Sequence, residues 1–500
     1  MNSPKSKEKN KKVELIKLIL ISFIILLLFS TSTSPLYKNY YEDDSSIFIV
    51  IGKAIKNGFT PYTEIFDHKG PVLFLIQVIG QYILEGRLGI FILQVIFLSI
   101  TNFFLFKIAN MFCNNKQSIY SLLSAMSIFI CFLEEGNLSE ELSLPFLSIC
   151  LYLAIKWLLN YPNHNSKKSI IYATILGICF SIISLIRLNN AAIIVGIIIA
   201  IPFILIKDRK YKDLGKYIFC FLLGAFIIYL PITLYFYNKS ALYEMFYGTF
   251  IHNFKYIQNV SSSDFLTKIQ YNCLLIILMI IMYKKIYNTN KNLYITIYIT
   301  TIITIITLLI GPGFSHYYLI TVPLISVFIA FLFNYTESIE KSLKNFVYMI
   351  IIVVNIIYLL THSLNSIYYI MNLKNVTVQS INELIKEIPD DEKNSVFVYN
   401  TSINASVYLY GNILPCYKYA FLQNNLIKTN LSIYYELINY LNSANSAKWI
   451  ISYNLKEKNS NNKIDLIILE KYELVNSISI TRLDFLNIVE ENLCLYKLKY

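Results

Sequence analysis

A chain of 500 residues that is 56% hydrophobic, only 15% charged and +0.53 in mean hydropathy is not an ordinary soluble protein; its composition is that of a polytopic membrane protein. The net charge of +12 does not point to nucleic acid, because the basic residues sit in short loops between apolar runs. Eight cysteines are scattered without a C-x-x-C or a His/Cys group at zinc spacing, so no zinc site is indicated. Cys416 and Cys494, both in the polar C-terminal part, are left as a pair that could bridge in an oxidising compartment.

About 20 apolar residues cross a bilayer as a helix. Runs near 13–32, 88–111, 118–134, 141–158, 169–187, 190–206, 215–236, 270–287, 292–310, 316–333 and 346–364 predict about eleven transmembrane helices. The run 71–84 is shorter and follows Gly70-Pro71, and reads as a half-buried or re-entrant helix. Lys5, Lys7, Lys9, Lys11 and Lys12 place the N-terminus in the cytoplasm by the positive-inside rule. Alternation then puts the basic loops at 116, 167–168, 207–216, 284–291 and 341–344 on the same side. It leaves 33–87, 237–268 and 365–500 outside. The expected organisation is a membrane bundle over 1–364 and a small extracytoplasmic α/β domain over 365–500. In that tail, 395–400, 447–454 and 492–500 read as strands and 430–443 as a helix.

Polar residues gather on the outer side. Asp43 and Asp44 precede an amphipathic stretch that ends near Gly58; Asp44 reads as an N-cap and Gly58 as the C′ residue. "FDHKGP" (66–71) follows, with Asp67, His68 and Lys69 set against an apolar run. Lys69 is either a snorkelling side chain or a cation at headgroup depth; Asp67 either pairs with a cation or caps the helix begun by Pro71. The turn "EEGNLSEE" (134–141) carries Glu134, Glu135, Asn137, Glu140 and Glu141, with Ser139 as a candidate N-cap. Arg187 and Asn189 lie in a tight outer turn, and His252, His316, Tyr317 and Tyr318 complete the rim. A charge at the lip of a bundle is costly, so each is a functional candidate.

These stretches resemble the GT-C integral-membrane glycosyltransferases, in particular bacterial relatives of the protein O-mannosyltransferase and aminoarabinose transferase families. The resemblance rests on Asp43-Asp44 in the first outer loop, G-x-x-P-Y (58–62), "FDHKGP", "GNLSEELSLP" (136–145), "RLN" (187–189) and "HYYL…P" (316–323). It spans the whole bundle. It implies a polyprenyl-phosphate-linked sugar donor and an extracytoplasmic glycan, lipid or protein acceptor, with membrane lipid around the bundle and no nucleic acid. It also implies an Asp of the first outer loop as general base. Counting back from Gly52 selects Asp44; counting back from Gly58 selects Asp43. The family's phosphate-binding Lys before a Pro maps to Lys69, although here the order is Lys-Gly-Pro. The Arg that some relatives carry soon after the acid is missing, and Arg187 is the candidate substitute. Asp67, His68, Asn137, Glu140, Asn189, His316 and Tyr317 are the remaining candidates for contacting substrate.

The implied chemistry suits these residue types. An acceptor hydroxyl attacking an anomeric carbon needs a carboxylate to take its proton. A departing phosphate needs positive charge more than a proton. This leaves room for a divalent metal without calling for one. A polysaccharide polymerase or ligase is the alternative within enzymes. A lipid-linked-sugar transporter would place its polar groups at mid-membrane in repeated halves, which this chain does not show.

Overall fold

The computed structural model describes residues 4–37, 43–162, 166–259, 265–335, 376–401, 403–421, 423–455, 462–484 and 487–499. Its first fourteen helices are α1 (Pro4–Phe29), α2 (Asp43–Lys56), α3 (Pro71–Ile83), α4 (Arg87–Ala109), α5 (Asn115–Leu133), α6 (Ser139–Asn160), α7 (Ser166–Ser184), α8 (Ala192–Lys207), α9 (Tyr211–Asn238), α10 (Leu242–Phe246), α11 (His252–Asn259), α12 (Phe265–Thr289), α13 (Lys291–Ile310) and α14 (Val322–Tyr335). Among the described residues, nine helical stretches are long and apolar enough to cross a membrane, and they fall on nine of the expected runs. The first expected run is helical too, as part of α1. The last, 346–364, lies outside the described residues. Helix α3, at 13 residues, is too short to span.

The chain divides into two compact units. One comprises Met1–Ser34, Phe91–Tyr235 and Ser261–Ile367; the other comprises Pro35–Ile90, Phe236–Val260 and Tyr368–Tyr500. In the first, α8 packs on α13, α5 on α14 and α6 on α7, around a continuous core that includes Phe129, Leu147, Ile193, Leu319 and Phe328. Helix α9 leaves Phe219, Leu222, Phe226, Ile227 and Leu234 exposed, a surface suited to lipid chains.

In the second unit α2 packs on α3. A Cβ added at Gly52 would stand 2.6 Å from the Cβ of Gln77, so the two backbones meet where a side chain has no room. Helix α2 ends in a Schellman turn: Gly58 has φ +98°, its N–H donates to Ile55 C=O, and the Phe59 N–H donates to Ala54 C=O. The C-terminal part forms a sheet of order β1-β2-β4-β3, with β1 (Val396–Tyr399), β2 (Trp449–Tyr453), β3 (Tyr472–Asp484) and β4 (Asn487–Leu498). β1 and β2 are parallel; the other pairs are antiparallel. Helix Ser432–Asn442 covers the sheet through Leu437 and Leu441.

Several local expectations change. Asp43 and Asp44 are not ahead of α2 but in its first turn, where carboxylates oppose the positive end of the helix dipole. Gly70, not Asp67, is the N-cap of α3. Helix α6 is capped one residue earlier than Ser139, at Leu138. Strand β3 was not expected: it buries Tyr472 and Ile480 but leaves Leu474 and Val475 exposed, and it is paired along its length with β4. Cys416 and Cys494 do not bridge; all eight cysteines are free. Cys416 Sγ donates to Val396 C=O at 3.1 Å, and Cys494 Sγ lies 3.3 Å from Ser477 Oγ.

Candidate functional site

In the second unit the sequence Asp67-His68-Lys69 is buried, with Lys69 only 6% exposed. The Lys69 side chain therefore does not stand free on the open surface. The turn is built by its own residues and by neighbours. Asp67 Oδ1 accepts the Lys69 N–H at 2.8 Å, an Asx turn that bends the chain before Pro71. Tyr62, fully buried with φ +69°, donates its hydroxyl to Lys69 C=O at 2.8 Å and meets Thr249 Oγ1 at 3.3 Å. Asn253 Nδ2 donates to His68 C=O at 2.7 Å. Lys69 Nζ lies 3.1 Å from His68 Nε2 and 5.7 Å from the centre of the Phe48 ring.

Phe48 is a residue of α2, four positions after Asp44, so the two side chains share one stripe of that helix. Asp44 itself is half-buried. Asp43 opens the same helix. The cation and one acid of the first loop are therefore brought to the same face of α2.

His252 follows a π-helical turn, Tyr247–Ile251. Its ring stands 5.7 Å from those of both His68 and Phe66. It is fully buried, and among the described residues neither ring nitrogen has a hydrogen-bond partner. Burial, then the charges of Lys255 and Lys69, push its pKa down to about 4.

The first unit holds the other candidates. Arg187 Nη1 donates to Glu140 Oε1 at 2.6 Å, and its guanidinium lies 4.0 Å over the Tyr317 ring. Tyr317 is edge-on to His316 at 4.7 Å. His316 Nδ1 lies 2.8 Å from Glu134 Oε2, and the His316 N–H and Ser315 hydroxyl both donate to Glu134 Oε1. Burial lifts the Glu134 carboxyl, but the bonds from His316 and Ser315 outweigh it and hold the pKa below its usual value. Glu134, Gly136 and Asn137 all have positive φ, so this turn is conformationally special. Asn189 is half-buried in a 3₁₀ turn, while its neighbour Asn190 donates to Ser143 Oγ at 3.1 Å.

Sequence reasoning passed over the roles of Gln94 and Glu141. Gln94 Nε2 donates to both Glu141 oxygens, at 3.0 and 2.9 Å, and the Asn137 N–H donates to Glu141 at 2.8 Å. Ser32 then ties residues 30–34 to the same turn through Glu135 C=O. A Gln inside an apolar helix was the available signal. Among the described residues, no three His, Cys, Asp or Glu side chains converge as metal ligands would.

The nominated residues thus form two groups. Asp43, Asp44, Asp67, His68 and Lys69 belong to the second unit; Asn137, Glu140, Arg187, Asn189, His316 and Tyr317 belong to the first.

Comparison with solved structures finds ArnT, an aminoarabinose transferase from Cupriavidus metallidurans, determined bound to undecaprenyl phosphate. It is similar over 97% of this chain and 98% of its own, at 8% identity and a TM-score of 0.63. Its apo form is similar over 98% of both chains, at 8% identity and a TM-score of 0.62. An Archaeoglobus fulgidus oligosaccharyltransferase tethered to an acceptor peptide matches over 96% of this chain and 74% of its own, at 9% identity and a TM-score of 0.49. The end-to-end likeness to ArnT establishes the GT-C fold expected from the sequence. No curated protein matches the chain in sequence. A family model described as "Putative competence-induced protein Ccs4 N-terminal domain" matches residues 5–342. The chain therefore belongs to the Ccs4 N-terminal domain family.

Proposed function

We propose that this protein is a membrane glycosyltransferase that moves a sugar from a polyprenyl-phosphate-linked donor to an acceptor outside the cytoplasm. Asp44 is the general base and Lys69 the cation that holds the donor phosphate. The supporting observation is the position of Lys69 Nζ over Phe48, on the stripe of α2 that Asp44 begins. Asp44 takes the proton of the acceptor hydroxyl as its oxygen bonds to the anomeric carbon. The bond from that carbon to the phosphate oxygen breaks, and polyprenyl phosphate leaves with the electron pair. The Lys69 ammonium offsets the charge that develops there. Asp43 orients the acceptor. ArnT, whose fold the chain shares, was determined with undecaprenyl phosphate, and the same class of lipid is the ligand proposed here.

In this reading 1–364 is the catalytic bundle, the N-terminus is cytoplasmic and 365–500 faces outward. Arg187 is already paired with Glu140, so the phosphate contact is assigned to Lys69 alone. The test is binding of undecaprenyl phosphate to purified protein in lipid nanodiscs. Lys69→Ala should lose about 1.5–3 kcal/mol, roughly ten- to hundredfold in affinity, and Lys69→Arg should keep part of it. Equal affinity of Lys69→Ala and wild type would remove the basis of the proposal. Mass spectrometry of surface glycans and glycoproteins, with and without this chain, then separates single-sugar transfer from polymer ligation.

A further inference from the structure

Lys69 is a flexible side chain, and it can select a phosphate only if its backbone root is fixed. The segment that carries it fixes itself only in part: between Gly58 and Pro71 the Glu64 N–H donates to Thr60 C=O, the Tyr62 N–H donates to Ile65 C=O, and Asp67 closes on the Lys69 N–H. Further anchors come from Tyr62 within the segment and from residues elsewhere in the second unit. Asn253 and Tyr62 hold the carbonyls of His68 and Lys69. The start of the turn is held by the C-terminal part of the chain. The Phe66 N–H donates to Lys418 C=O at 2.9 Å. The Phe66 ring stands edge-on to Tyr419 at 5.5 Å and to His252 at 5.7 Å, and Lys418 Nζ lies 5.9 Å over it. Phe66 and Tyr419 are both buried.

We infer that Tyr419 is a positioning residue for Lys69: with Lys418 C=O it seats Phe66 and so aims the Asp67–Lys69 turn. The C-terminal part is then a working piece of the lipid-phosphate site. This rests on the reading of Lys69 as the phosphate contact. A residue that only docks the C-terminal part would change the stability of the fold and leave the affinity of folded molecules for a phosphate unchanged. One that aims Lys69 changes the affinity for the phosphate and not for the prenyl chain.

The experiment measures undecaprenyl phosphate and undecaprenol, the same chain without phosphate, against wild type, Tyr419→Ala, Tyr419→Phe and Lys69→Ala in nanodiscs. Each sample is first shown to be monodisperse with a cooperative thermal transition. Tyr419→Ala should weaken undecaprenyl phosphate about tenfold, because a small misplacement of a positioned group is costly. Tyr419→Phe, which keeps the ring edge, should stay within about twofold. Undecaprenol should bind all four alike. If Tyr419→Ala fails to fold, Tyr419→Leu is read in its place, with an expected loss of about threefold. Wild-type affinity in Tyr419→Ala, beside a loss in Lys69→Ala, overturns the positioning role and leaves the Lys69 reading standing. Equal losses for undecaprenol also overturn it. Wild-type affinity in Lys69→Ala overturns the Lys69 reading and the inference with it.

Discussion

The Arg187–Glu140 pair can be weighed from its geometry. The two charged groups touch at 2.6 Å with side chains only 9% and 2% exposed. With charge centres about 4 Å apart and an effective dielectric near 20, their attraction is about 4 kcal/mol. Glu140→Ala strands a buried guanidinium and should cost about 3–5 kcal/mol. Glu140→Gln keeps a neutral acceptor at the same place and should cost about 1.5–3 kcal/mol. Arg187→Met loses the pair and also the face contact with Tyr317, itself worth about 0.5–2 kcal/mol. The double variant Glu140→Gln/Arg187→Met loses both charges, so its cost should fall short of the sum of the singles by at least about 1.5 kcal/mol. Unfolding of the four proteins by titration with a denaturing detergent in mixed micelles gives the coupling directly. A coupling below about 0.5 kcal/mol would show that the pair does not hold this turn together, and would release Arg187 as a cation for substrate.

Two further outcomes are expected. Asp44→Asn keeps size and most hydrogen-bonding capacity at the start of α2, so the protein should fold, while sugar transfer should fall about 10²–10⁴-fold in a reconstituted assay; wild-type transfer with an inactive Asp43→Asn would exchange their roles, and full activity in both would refute the mechanism. His252 is buried with its pKa pushed down to about 4, so between pH 6.5 and 4 the unfolded chain binds a proton that the folded one excludes. Stability should be level above pH 6.5 and fall by roughly 3 kcal/mol as pH drops to 4, and His252→Phe should lose that part of the slope in detergent melts; an unchanged slope would refute the assignment to His252.

The bundle was legible because lipid imposes one rule on every span. A run of apolar residues about 20 long must be a helix, and among the described residues nine such runs are helices long enough to span. The short run after Pro71 could be separated from them by length alone. The caps were less legible. Which of Leu138, Ser139 or Gly70 ends a turn depends on backbone angles set by distant partners, such as Gln94 closing on Glu141. Strand β3 leaves Leu474 and Val475 exposed, and its pairing with β4 is what orders it as a strand. The rim residues were visible as a set because charges at the edge of an apolar bundle stand out. Their pairing was not visible. Nothing in the spacing of 134 and 316, or of 140 and 187, says that these side chains meet.

The same reasoning explains why an acid, an imidazole and an amine stand together before an apolar helix. Asp67 is used locally: its Oδ1 closes the turn onto the Lys69 N–H and lies 3.9 Å from His68 Nδ1. Gly70 supplies an extended N-cap, φ −80° and ψ 158°, and Pro71 suits the first position of α3 because no N–H is needed there. The turn therefore delivers Lys69 to within two residues of the positive end of a helix, and holds both its N–H and its C=O by side chains. A lysine that only needed to reach water would require none of this. A lysine whose position over Phe48 matters would require its root to be held in this way, as the proposed phosphate contact does.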